Sequence, residues 1–351
     1  MTGLAIFRLP HASEVTCVRQ VKGTPEELRS CQELNGRSGF VVAPFEVTPS
    51  QPILLIHPDY TETMAVDDVM HIPDMPSFEG SSVCTNVSGS RGTYAIDFAN
   101  FHSQLSLGFF QKIVLARCTD VEVDRPLPPL ELFRRACMRY PRMFIALVWT
   151  EKSGCWLTAT PEILLEGVGN HWRTIALAGT MQLEGEQLSG EGETITWSTK
   201  NIQEQRIVAT YITECLEQFT SDFHEEGPCT VRAANLVHLR SDFTFSLSDN
   251  GHIGDLLHAL HPTPAVCGLP KRAAHHFIIH NEYASRRYYS GFMGMLGTEE
   301  THLYVSLRCM NIEGGLYHLY AGGGLLKDSS EEMEWQETEA KLQTMRKILE
   351  K

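Results

Sequence analysis

The chain has 351 residues, 42% hydrophobic and 21% charged, which is enough to build a large core in one or two domains. A formal charge of −14 argues against a protein that coats nucleic acid or an anionic membrane, and no apolar run approaches the roughly 20 residues needed to cross a bilayer. Any anionic substrate would need local lysines and arginines to overcome that field.

In chain order, residues 1–100 predict short strands between turn clusters, clearest at 41–47 and 52–57, with a Gly/Ser-rich loop at 79–90. The first ten residues lack a basic segment followed by an apolar one, so no secretory signal is expected. Strands follow at 113–116, 143–149, 155–159, 162–168 and 172–178, then a helix at 198–219. Residues 285–296 and 303–311 lead to a strand at 316–321, and a last helix runs from 329 to the C-terminus. No repeat or long linker interrupts this order. It predicts an α+β or mixed α/β fold on antiparallel sheets. The ten cysteines form no CxxC pair and several lie in apolar runs, so they read as reduced core thiols in a cytoplasmic protein.

Both long helices carry carboxylates on their apolar faces. At about 100° per residue, Glu204 falls on the stripe of Val208, Tyr211 and Cys215, close to Trp197. In the last helix, with Ser329 and Glu332 forming a capping-box pattern, Glu334, Glu337, Lys341, Met345 and Ile348 share a stripe. A lone buried carboxylate is costly. Carboxylates turned inward from two helices make sense around a shared, Mg²⁺-like cation; otherwise the helices rotate slightly and the charges are solvated.

Five further features stand out in apolar or rigid settings. Lys112 opens the run Lys112-Ile-Val-Leu-Ala-Arg117, where it either snorkels to water or serves as a general base. Glu162 follows Thr160-Pro161 at the start of an apolar strand, as an exposed edge residue or a proton donor. Ala321-Gly-Gly-Gly324 reads as a loop whose backbone N–H groups could hold a carboxylate, or as a plain turn. Arg308 lies in a predicted strand, as surface decoration or as a bidentate partner for a carboxylate. His261-Pro-Thr-Pro-Ala265 is rigid and irregular.

The order of these features resembles the chorismate-utilising enzymes: KIVLAR around Lys112, TATPEILLE at 158–166, ALAGT at 176–180, the 200–204 run, LHPTPAV at 260–266 and YAGGGLL…EWQETEAK at 320–341. The resemblance covers about residues 100–345 and implies one chorismate-binding domain over 1–351, with 1–100 less distinctive. The fold it implies is that of anthranilate synthase component I, with large antiparallel sheets in a two-halved sandwich flanked by helices. It implies Mg²⁺ on Glu204 and Glu337 with Glu334 close by. Chorismate would be bound by Thr180, Arg308, Lys341, the glycines around Gly322 and Gly323, and the segment containing Ala265. Lys112 and Glu162 become the catalytic base and acid. Family members that add ammonia usually carry Gln where this chain has Lys112, and members with a nucleophilic lysine in PIKGT differ at Ala178. Salicylate-forming members tend to carry Thr in the segment that here contains Ala265. The resemblance therefore points to an isochorismate synthase, with a salicylate synthase or a non-catalytic homologue as alternatives. Menaquinone or siderophore synthesis would consume the product, and a monomer is expected, with no nucleic-acid or membrane partner. Two positions depart from the family pattern: Asn201 and Gln205 replace an acid and a histidine beside the metal glutamate.

Overall fold

The computed structural model describes residues 1–72, 89–182, 196–233, 236–247 and 250–350; most of the expected 79–90 loop lies outside them. Eighteen strands and six α-helices are assigned among these residues. In chain order they are β1 (Gly3–Arg8), β2 (Glu14–Gln20), β3 (Glu26–Leu28), β4 (Gly39–Ala43), β5 (Ile53–Ile56), β6 (Tyr60–Ala65), α1 (Arg91–Ser106), β7 (Lys112–Glu122), α2 (Pro129–Arg139), β8 (Phe144–Thr150), β9 (Gly154–Thr160), β10 (Ile163–Val168), β11 (His171–Gln182), α3 (Thr199–Leu216), β12 (Phe223–Ala233), β13 (Leu236–Ser246), α4 (Ile253–Leu260), β14 (Gly268–Leu269), α5 (Lys271–Asn281), β15 (Phe292–Leu296), β16 (Glu300–Val305), β17 (Cys309–Glu313), β18 (Leu316–Leu325) and α6 (Glu331–Leu349).

The strands form two antiparallel nine-stranded sheets. One runs β14-β7-β18-β17-β9-β8-β1-β2-β6 and the other β12-β13-β11-β10-β16-β15-β4-β5-β3. The first hundred residues thus supply strands to both sheets. Alternation explains the packing: β7, β8, β9 and β18 are buried on both faces. One face meets a core shared with the second sheet, containing Phe40, Phe144, Trp156 and Tyr304. The other face of the first sheet packs on α2 and α6 through Phe133, Leu342 and Met345. A third cluster seats α1 and α5 against the start of β7, through Phe101, Ile113 and Ile278.

Helix boundaries follow local chemistry. Ser198 caps α3 by accepting from the Asn201 N–H at 3.2 Å. The expected Ser329–Glu332 capping box does not form. Ser330 is the capping position, with no side-chain bond, because the Ser329 hydroxyl instead accepts the Leu326 N–H at 3.0 Å. The expected stripe on α3 is present, since Glu204, Val208, Tyr211 and Cys215 are all buried. All nine described cysteines are free, and eight are buried. No described helix is long and apolar enough to cross a membrane.

Candidate active site

Twice, neighbouring segments step from one sheet to the other. The chain leaves β9 at Thr160, turns at Pro161 and enters β10 of the other sheet at Ile163, leaving Glu162 on the step. The link from β16 to β17 makes the opposite crossing alongside and carries Arg308. Backbone bonds lock the two together: Val305 N–H donates to the Glu162 carbonyl and Ala159 N–H to the Arg308 carbonyl, each at 3.0 Å. Arg308 was expected within a strand. It sits instead between two strands at φ +43°, a conformation costing a non-glycine residue about 1–3 kcal/mol. That bend ends one strand and turns the guanidinium into a cleft between the sheets.

The glycines are also placed differently from expectation. Residues 321–324 lie in β18, paired to 114–117 of β7, and do not form a loop. The pairing of β18 with β17 stops at Tyr320, so the glycines face the cleft on that side. They are required because other side chains occupy the space of a Cβ. A Cβ on Gly324 would lie 2.0 Å from Glu204 Oε1 and 2.7 Å from Lys112 Cε, and one on Gly322 would lie 2.7 Å from Tyr289 Oη.

Glu162, Thr180, Glu204, Ala265, Arg308, Gly322 and Lys341 all line the cleft. Lys112 is fully buried behind Glu204, its Nζ 2.9 Å from Glu204 Oε1 yet not aligned for a hydrogen bond. Two more lysine–glutamate pairs follow. Lys200 bonds Glu334, and Lys341 bonds Glu337 at 2.7 Å and the Gly322 carbonyl at 2.8 Å. The structure therefore does not gather Glu204, Glu334 and Glu337 into one tight trio. Each is held by its own ammonium, and the only set of three candidate ligand atoms within 4.8 Å of one another among the described residues lies elsewhere.

The environment separates these carboxyls. Burial pushes Glu162 up to about 7, only partly offset by Arg308, Lys112 and Lys341. Glu334 is pushed up to about 7 by burial and by Glu337, against the pull of Lys200. Burial would raise Glu204 as well, but Lys112 and Lys200 outweigh it and hold it below the usual range.

Sequence reasoning missed His238 and Tyr289, which line the same cleft. His238 Nε2 meets Arg308 at 3.1 Å, and its Nδ1 meets Thr180 Oγ1 at 3.2 Å. Burial and the neighbouring Arg308 and Lys341 hold it well below the ordinary histidine range, so it is neutral and can accept from the guanidinium. The available signal was a histidine inside the apolar run Leu236-Val-His-Leu239.

Residues 69–350 match the family described as chorismate binding enzyme. The chain belongs to that family. It is 32% identical over 248 residues to isochorismate synthase MenF of Escherichia coli K12, covering 69% of this chain and 57% of that protein. With isochorismate synthase EntC of the same organism it shares 29% over 238 residues, 67% of this chain and 61% of the relative. The chain thus aligns with about three fifths of the length of these relatives. The solved structure of the Escherichia coli MenF superposes with a TM-score of 0.81 at 23% identity, over 99% of this chain and 89% of that one. Anthranilate synthase component I of Streptococcus pneumoniae gives 0.69 at 16% identity, over 98% and 92%. The expected fold class is therefore correct.

Within that fold, the acidic groups suit a hard divalent cation. Glu334 Oε2 is buried with no partner, and the raised Glu334 carboxyl shows that Lys200 alone undercompensates its burial. Oxygen donors from α3 and α6 are the chemistry Mg²⁺ prefers.

Proposed function

We propose that the protein is an isochorismate synthase, with Mg²⁺ held by Glu204, Glu334 and Glu337. The observation that carries the proposal is the cleft itself. A carboxyl raised to about 7 borders a space that Arg308 and Lys341 line with positive charge, and the buried Lys112 stands behind Glu204 at its wall. Lys112, Lys200, Lys341 and Arg308 balance Glu162, Glu204, Glu334 and Glu337, so a substrate with two carboxylates meets little net attraction unless a cation joins it. Mg²⁺ held by these glutamates would supply that charge and Lewis acidity toward the substrate.

The protein's own groups then divide the work. Arg308, supported by neutral His238, and Lys341 hold the carboxylates and fix the ring. Once the ammonium paired with Glu204 has given up its proton, Lys112 takes one from the water whose oxygen bonds to ring carbon 2. The ring double bonds shift, the bond from carbon 4 to its oxygen breaks, and Glu162 gives its proton to the hydroxyl leaving as water. Ala265 and Val266 form an apolar wall of the cleft, which supports release of isochorismate over further elimination to salicylate. The Escherichia coli MenF whose structure is solved is described as menaquinone-specific, which supports a role in menaquinone synthesis. We assign residues 1–351 to one domain, because β1–β6 complete both sheets, and a cytoplasmic monomer is the working expectation.

Incubation with chorismate and Mg²⁺, followed by chromatography, should yield isochorismate. Salicylate with pyruvate, or no product, would reject the assignment. EDTA should abolish turnover, and Glu337→Gln should lose activity together with its Mg²⁺ dependence; turnover unchanged by EDTA would reject the cation. Gly324→Ala should displace Glu204 and cost about 100-fold in kcat/KM, the usual penalty for a misplacement of about 1 Å. Activity within a few-fold of wild type would show that Glu204 needs no such placement.

A further inference from the structure

About six residues along β7 from Lys112, and six along β18 from Gly324, a second group of polar side chains faces inward. At about 3.3 Å per residue it lies on the order of 20 Å from the cleft residues on the same strands. Cys118 and Asp120 share one face of β7, and His318 of β18 is paired directly with Asp120. His318 Nδ1 is 2.7 Å from Asp120 Oδ1, Cys118 Sγ is 3.9 Å from the same oxygen, and the three donor atoms lie within 4.8 Å of one another.

We infer that Cys118, Asp120 and His318 form a second metal site, of the zinc class, separate from the chorismate cleft. The donor set is the argument for the ion. One sulfur, one imidazole nitrogen and one carboxylate oxygen suit Zn²⁺ and are poor ligands for Mg²⁺, and three protein ligands leave a fourth position for water.

Two independent features support this. His318 Nε2 is buried without a hydrogen bond, 3.6 Å from Glu313 Oε2, so a histidine bound through Nδ1 would turn its other nitrogen toward a carboxylate, as zinc-bound histidines commonly do. Tyr320 lies opposite Cys118 in the ladder, and its buried hydroxyl makes no hydrogen bond of normal geometry. A metal-bound Cys118 thiolate would give that hydroxyl a charged, stronger acceptor. The Asp120 and Glu313 side chains are about a quarter and a fifth exposed, which leaves an entry path. On binding, the Cys118 thiol proton goes to solvent, the His318 proton leaves Nδ1 and is carried on Nε2, facing Glu313, and Asp120 exchanges its bond to His318 Nδ1 for one to the metal.

The test is Co²⁺ titration of the intact protein, freed of metal by chelation, with Cys229→Ser to remove the exposed cysteine among the described residues. One equivalent should bind with a near-ultraviolet thiolate-to-cobalt band, displaced by one equivalent of Zn²⁺. Cys118→Ser should lose the band, and Glu313→Gln should weaken binding about 10-fold or more. His318→Gln provides a second ligand variant should Cys118→Ser fail to fold. A missing band in the parent protein, or a band that persists in a folded ligand variant, overturns the site. Turnover of chorismate with Mg²⁺ is read in parallel, so failure of this site and failure of the cleft assignment are distinguishable.

Discussion

Lys112→Ala is expected to lower kcat by about 10²- to 10⁴-fold, the range for loss of a positioned base, while chorismate binding is largely kept. The structure adds a consequence for stability. Lys112 is fully buried against Glu204, so its removal strands a buried carboxylate. Breaking such a pair typically costs about 3–5 kcal/mol. The melting temperature should therefore fall along with activity. Adding Glu204→Gln to the Lys112→Ala variant should recover much of the stability and none of the turnover. Those two readouts separate chemistry from folding. Near-normal turnover of Lys112→Ala would remove the base assignment.

Glu162→Gln is expected to do the opposite to stability. The folded-state carboxyl is raised to about 7, above its ordinary value of 4.5. The folded protein therefore holds this proton more tightly than the unfolded chain. Its stabilising contribution is full below about pH 4.5 and is lost as pH rises through about 7. At pH 8 the wild type bears a buried ionised carboxyl, at a cost of about 3 kcal/mol for a shift of this size. Glutamine removes that charge, so the variant should melt higher than wild type at pH 8 and close to it near pH 4.5. Turnover should nevertheless fall by about 10²- to 10⁴-fold, because the amide cannot donate the proton. In the wild type, kcat should decline above about pH 7 as Glu162 ionises, and that limb should vanish in the variant. A variant melting below wild type at pH 8, or one that keeps the alkaline limb, would refute the assignment.

The parts of the site that follow a regular period were legible in the sequence. Glu204 could be placed because one helical stripe joins it to Val208, Tyr211 and Cys215, and all four are buried. The burial of Lys112 followed from the apolar strand it opens, but its pairing with Glu204 depends on α3, packed on β11 of the other sheet, facing the start of β7, which no local pattern encodes. The neighbourhood of Glu162 and Arg308 arises from two adjacent crossings between sheets. The sequence from 303 to 311 reads as one continuous strand because the bend at Arg308 has no glycine or proline to mark it. The glycines misled in the other direction: three in succession suggest a loop, whereas they pair with β7 as a strand and are glycine because Glu204 and Tyr289 leave no room for a Cβ at Gly324 and Gly322. Helix α1 went unread although its buried Tyr94, Phe98, Phe101 and Leu105 recur at helical spacing, because the exposed Ile96 blurs that stripe.

The most direct test of the proposed chemistry is the origin of the new hydroxyl. Turnover of chorismate with Mg²⁺ in water enriched in ¹⁸O should give isochorismate carrying one solvent-derived oxygen at ring carbon 2, since Lys112 activates water while Glu162 expels the hydroxyl at carbon 4. Isochorismate formed without label would mean that the original hydroxyl migrates within the molecule, and the opposed base and acid would then have no role.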